Sequence, residues 1–294
     1  MGTRRFSLLV VLAFVGLSYG ADALTSPTSR SKKSKSDADT NAIGHRNIVH
    51  NTNVNFYSAK GEKELGKSLS QELERTSKLL KNPAITDFIG HVAQNLANNS
   101  DAHFPITVGV TDTSALTAFT LPGGYQYVSR GLLLQLEDEG ELASVLARGI
   151  AHTALRSYTR LATKGQILKK LASIPIVPLG TGGSTGNGVD SANSLGILKM
   201  RRDDELDADY FGVQYLYKAG YDPKNFIDFV QLMWGTNSTA GDELPKILSA
   251  FPPLDERVAA LLKEISKIPA PRAAVNATQE FDTFKERLRS LPSE

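Results

Sequence analysis

No cysteine occurs anywhere in these 294 residues, yet the chain opens like one bound for export. That combination constrains the fold more than any other feature. Met1–Ala23 reads "MGTRRFSLLVVLAFVGLSYGADA", with Arg4 and Arg5 ahead of an apolar run from Phe6 to Leu17. Ala21-Asp22-Ala23 then supplies an A-x-A cleavage site, the pattern of a signal peptide. The run is too short to serve comfortably as a permanent membrane span; an uncleaved anchor is the alternative. A periplasmic or secreted location is therefore expected. Without cysteine there is no disulfide, no thiolate metal site and no lipid-bearing N-terminal cysteine. Such a chain must hold itself together by packing, or by a metal.

The length remaining after a signal peptide suits one medium domain with ample core. We read residues 1–23 as the signal peptide, 24–55 as a polar linker, 56–268 as the folded domain and 269–294 as a C-terminal packing helix. The net charge is only +2, and no basic patch points to nucleic acid. "SRSKKSKSD" reads as solvated tether, and the Ser, Lys, Asp and Asn of Leu24 to about Asn53 show no apolar period.

Beyond the tether, leucines at helical spacing run from Glu62 to Leu80 and stop at Asn82-Pro83. A second helix covers Ala84–Leu96. "PITVGVTD" and the chain after "LPGG" read as strands. Helices follow at Leu132–Gln135, Glu141–Ser157 and Leu161–Ile174, and a long one runs from about Asp203 to Ala219. Gly180–Gly196 is glycine-rich but lacks the lysine and serine or threonine of a phosphate-binding loop. Phe281, Phe284, Leu288 and Leu291 give the tail a helical apolar face. The expected class is α+β, mostly helical, with a small β-sheet.

The informative stretch is Glu141–Arg156, "ELASVLARGIAHTALR". In a helical zinc site of the H-E-x-x-H type, two histidines four residues apart share a face and bind one metal. The glutamate between them activates the bound water. Here His152 stands in the second histidine's place. Downstream, "DDELDADYFGVQYLYKAGYDP" sets Glu205 and Asp209 four apart, so both face the same way. Glu205 suits a third ligand, and Asp209 suits a carboxylate that orients a ligand histidine.

In order along the chain, "FTLPGGYQYVSRGLL", "ELASVLARGIAH", "ELDADYFGVQYLYKAGYDP" and "FPPLDER" resemble the metallopeptidase domain of the BepA-like and HtpX-like family. That family, peptidase family M48, also includes the CAAX prenyl proteases. The resemblance covers about Glu62 to Lys267. It implies a gluzincin-type fold with a small sheet beside the active-site helix, a zinc cofactor and endopeptidase activity. It also implies that an edge strand at Tyr125–Ser129, presenting Gly124, Tyr125, Gln126, Tyr127 and Val128, pairs with extended substrate.

The departures fall on the chemistry. The family's first histidine ligand is Arg148 here, and its general-base glutamate is Gly149. A further family histidine, near the cleft, is Phe251. His152, Glu205 and Asp209 match. Arginine stays protonated and has no lone pair to give zinc. Losing a positioned general base costs about a hundredfold to ten-thousandfold in rate. Without a metal, no water is acidified to a pKa of about 7.

We therefore expect zinc to be absent or weakly held, Arg148 to pair with Glu205 and Asp209, and the chain to be a pseudoprotease. It would bind polypeptide or a partner protein in the former cleft. Two other readings stay open: a working zinc endopeptidase whose altered site holds metal through His152, Glu205 and water, and a purely structural partner subunit.

Overall fold

Between Asp138 and Leu155 most side chains are small or aliphatic, and the chain there forms a helix buried along nearly its whole length. The rest of the fold is built round it. The computed structural model describes residues 40–49, 55–164, 191–237, 252–271 and 274–292. The stretch read as a signal peptide and the glycine-rich stretch up to residue 190 lie outside them.

In chain order the elements are α1 (Ala59–Thr76), α2 (Pro83–Asn98), β1 (Thr107–Thr111), β2 (Ala118–Leu121), β3 (Tyr125–Ser129), α3 (Arg130–Gln135), α4 (Glu139–Ala154), α5 (Ser157–Lys164), α6 (Ser191–Lys218), α7 (Asn225–Asn237), α8 (Leu254–Ile265) and α9 (Gln279–Ser290). Local chemistry fixes the helix starts. The Ser58 hydroxyl accepts from Gly61 N–H, Asp138 Oδ1 from Glu141 N–H at 2.8 Å, and Thr278 from Phe281 N–H. Each satisfies an amide that the first turn leaves open.

The fold is mostly helical with one small mixed sheet, in the strand order β1-β3-β2. β3 runs parallel to β1 and antiparallel to β2. This corrects the edge-strand expectation. Gly124 sits in the tight turn before β3, while Tyr125, Gln126, Tyr127 and Val128 lie on the central strand, whose two edges are both occupied. β2 is the edge strand that packs against α4. The reason is the Pro122–Gly124 turn, where Gly123 and Gly124 take positive φ and fold β2 back antiparallel onto β3.

Other boundaries also move. α1 ends at Thr76, and Leu79 and Leu80 are extended instead of helical, with Leu80 N–H donating to Val110 O. α6 begins at Ser191, within the stretch read as a loop. Residues 40–49 do not continue the tether. Ile43 and Ile48 enter the core, and Arg46 pairs with Asp101 at 2.5 Å and with Gln214. Two isolated isoleucines carry no period, so sequence pattern alone leaves them in a polar tract.

α4 packs on α2, α6, α7 and β2. α9 closes the far side. Phe281 and Phe284 meet Phe88 of α2, the latter pair stacked with centroids 4.9 Å apart. Lys285 Nζ donates to the carbonyls of Leu133, Leu134 and Leu136 at the end of α3. Arg130 donates to the carbonyls of Leu288, Leu291 and Pro292. Positive side chains at a helix C-terminus satisfy carbonyls that have no partner within the helix.

Candidate functional site

Three helices meet at one cluster of charges. α4 contributes Arg148 and His152, four residues apart and so on one face; α6 contributes Glu205 and Asp209 with the same spacing; α8 contributes Arg257. Gly212 brings the helices close, since a Cβ there would lie 3.4 Å from the Arg148 Cα and 2.7 Å from the Phe226 ring.

Asp209 is the hub. Arg257 grips it in two places, with Nε donating to Oδ2 at 2.7 Å and Nη2 to Oδ1 at 2.8 Å. Arg148 Nε donates to the same Oδ1 at 3.2 Å. The other end of the Arg148 guanidinium forms an ion pair with Glu205 Oε2. His152 Nε2 stands 3.9 Å from that oxygen, and its ring lies 5.7 Å from that of Tyr158. His152 Nδ1 is buried and has no hydrogen-bond partner among the described residues. The side chains of Arg148, His152 and Asp209 are each 3% exposed, while Glu205 reaches 15%.

Two guanidiniums face two carboxylates, so the cluster is neutral if His152 is neutral. The environment makes it so. Burial, and then the charge of Arg148, hold the His152 imidazole well below its ordinary range. Burial, with Arg257 beside it, draws the Arg148 guanidinium down to about 10, still protonated at neutral pH. Burial alone would raise the Asp209 carboxyl. The charge of Arg257 and its hydrogen bonds, with the charge of Arg148, outweigh that and hold it below its usual value.

At position 149 the helix lies close against the sheet. A Cβ on Gly149 would lie 2.6 Å from Thr120 Oγ1 and 2.8 Å from both Cδ and Oε1 of Gln126. Those two side chains come from β2 and β3 and are each 3% exposed. Thr120 Oγ1 and Gln126 Nε2 have no hydrogen-bond partner among the described residues. Both contacts are with side-chain ends, so a side chain at 149 requires Thr120 and Gln126 to turn aside.

These residues do not fit a zinc ion. Among the described residues, no group of three or more His, Asp or Glu side chains is placed to hold a metal. The space between His152, Glu205 and Asp209 is crossed by a cation hydrogen-bonded to Asp209 and ion-paired with Glu205. A second positive charge there would be repelled at short range, and a guanidinium offers no lone pair.

The structure thus brings together Arg148, Gly149, His152, Glu205 and Asp209, and it places Gln126 against Gly149. Tyr127 points away from the cluster, its hydroxyl on Glu74 and Ser70. Phe251 lies outside the described residues. Sequence reasoning missed Arg257 and Thr120. The end of "FPPLDER" signalled Arg257, an arginine on a short helix with no acidic partner at i−4; Thr120 carried no signal, because only the sheet register sets it against α4.

Comparison with known proteins agrees with the fold. Residues 80–265 match the family described as peptidase family M48. A beta-barrel assembly-enhancing protease of Yersinia pestis is 25% identical over 242 residues, covering 78% of this chain and 49% of the relative. The protein of that name in Escherichia coli is 23% identical over 244 residues, covering 78% and 48%. Mitochondrial metalloendopeptidase OMA1 of Arabidopsis thaliana is 27% identical over 211 residues, covering 66% and 40%. The chain therefore spans half or less of the length of these relatives.

Proposed function

The chain belongs to peptidase family M48, and from that premise we propose an exported member that binds polypeptide or a partner protein without cleaving it. One observation carries the reading: the Arg148 guanidinium, bonded to Asp209 and paired with Glu205, occupies the ground a catalytic zinc needs. The second support is Gly149, which puts no carboxylate at the general-base position and lies against Thr120 and Gln126. Neither a metal-bound water nor a group to deprotonate it is then available. What remains is a folded scaffold of a polypeptide-handling family. Export rests on the N-terminal signal pattern. No helix among the described residues is long and apolar enough to cross a membrane.

The test is elemental analysis of purified protein together with cleavage of unfolded casein. The expected result is substoichiometric zinc and no chelator-sensitive cleavage. One zinc per chain with chelator-sensitive turnover would overturn the reading. Back-substitution sharpens it. Arg148→His is expected to raise the zinc content, because it removes the cation and sets a second imidazole four residues before His152. Adding Gly149→Glu, with Thr120→Ala and Gln126→Ala to give the carboxylate room, is expected to be needed before any chelator-sensitive cleavage appears.

A further inference from the structure

β1 is an edge strand, and only half of its outer edge is covered. Val110 O accepts from Leu80 N–H at 2.9 Å, and Asp112 N–H donates to Lys78 O at 2.9 Å. The segment 78–80 thus lies antiparallel on the strand, with Leu79 opposite Thr111. On the inner side, Thr113 O accepts from Gly131 N–H, which follows β3. Odd-numbered residues of β1 therefore turn their peptide groups toward β3, and even-numbered ones turn theirs outward. Val108 is the next outward residue. No strand pairs with it on that side among the described residues.

The cover stops at Leu80 for a sequence reason. Pro83 starts α2 one turn later and takes the chain off the edge. A cavity of about 430 Å³ is left beside the open half of β1, lined by Glu74, Leu79, Lys81, Asp87, Val108 and Tyr127 among others. Gly109 lets the Tyr127 ring approach the strand closely, since a Cβ there would come within 2.6 Å of the ring. Natural sheets usually guard such an edge with a charge, a proline or a bulge. Thr107–Thr111, "TVGVT", has none of these. The charges stand at the rim instead, where the carboxylates of Glu74 and Asp87 outnumber the one ammonium of Lys81.

We propose that this half-open edge receives an extended polypeptide segment carrying a basic side chain. The segment pairs with the outward peptide groups of Val108, in line with residues 78–80, and its lysine or arginine enters the cavity toward Glu74 and Asp87. Strand addition supplies the main-chain bonds and the cavity supplies the preference. The site lies on the opposite edge of the sheet from β2 and α4. The proposal rests on reading the chain as a binder of polypeptide, and it gives that reading a location away from the former catalytic centre.

The experiment uses the full chain and two fluorescein-labelled seven-residue peptides of alternating threonine and valine, one with a central lysine and one with a central glutamate. Binding is read by fluorescence anisotropy and by amide hydrogen exchange at residues 107–110. The lysine peptide is expected to bind about tenfold more tightly, a difference of one charge-assisted contact, and to slow exchange at Val108. Val108→Pro removes an outward amide without touching a bond to β3 and is expected to abolish that binding. Asp87→Lys, at an exposed position on α2, is expected to erase the preference for lysine while melting like wild type. Equal binding by wild type and Val108→Pro, with exchange at Val108 unchanged, would overturn this site while leaving the binder reading intact. If neither peptide binds wild type at any concentration reached, the site falls, and the binder reading is then tested separately by cross-linking to unfolded casein.

Discussion

Removing the Arg148 side chain would leave Glu205 and Asp209 on one side of α6 without the cation between them. Breaking a buried ion pair from one side costs more than the pair contributes, because the surviving charge stays desolvated. Asp209 keeps Arg257, and Glu205 is the most exposed member at 15%. Arg148→Ala should therefore destabilise the fold by about 3 kcal/mol, whereas Glu205→Gln should cost about 1 kcal/mol or less. Urea unfolding at pH 7 measures both, and equal losses would contradict this apportioning. His152 adds a pH dependence. Its folded-state pKa lies below the ordinary value of 6.5, so the unfolded chain binds a proton first as pH falls. Stability should then drop below pH about 6.5, at up to about 1.4 kcal/mol per pH unit for this group. Asp209, also depressed, adds a loss below about pH 4. His152→Asn should flatten the first slope, read from urea midpoints between pH 7 and 5; parallel curves would remove His152 from the account. At this scale Arg148, His152, Glu205 and Asp209 were legible, because i,i+4 spacing on a helix fixes a shared face. Thr120 was not, because its position depends on how β2 docks, and "FPPLDER" marked Arg257 only as an arginine lacking an acidic partner at i−4, not as a partner of Asp209.

Among the elements, the sheet was the least legible part. Alternation identifies a strand but carries no information on which neighbours it takes, so the central place of β3 was hidden in sequence. Leu79 and Leu80 fit a helical leucine pattern equally well; the amide of Leu80 is claimed instead by Val110 O. The isoleucines of residues 40–49 lacked a period altogether. The long helices, by contrast, were readable to within a turn or so at most ends, because their apolar faces repeat. α1 seats against the Pro122–Gly124 turn at Gly66, where an added Cβ would lie 1.8 Å from Pro122 O. That contact is with backbone, which cannot swing aside. Gly66→Ala should therefore destabilise by about 1–3 kcal/mol, the usual range for overpacking, despite alanine's better helix propensity. A thermal melt followed by circular dichroism would show it, and a stabilised variant would mean that α1 does not rest on this turn.

For the molecule as a whole, ordered motifs along the chain were enough to expect the family and the helical fold, and the match over residues 80–265 agrees. A resident zinc at a hundred times its dissociation constant would add about 2.7 kcal/mol to stability. Because Arg148 already joins α4 to α6 through Asp209 and Glu205, a chelator should leave the melting temperature where it is, and a lowered midpoint would restore the case for metal. The clasp between α3 and α9 bears on timing. Arg130 and the carbonyls of Leu133, Leu134 and Leu136 wait for partners that lie 149 to 162 residues further along. During synthesis the Phe88 face of α2 and the end of α3 stay uncovered until residues 279–290 have left the ribosome. A chain stalled before Gln279 should be readily digested by protease, and the protected core should form only when α9 arrives.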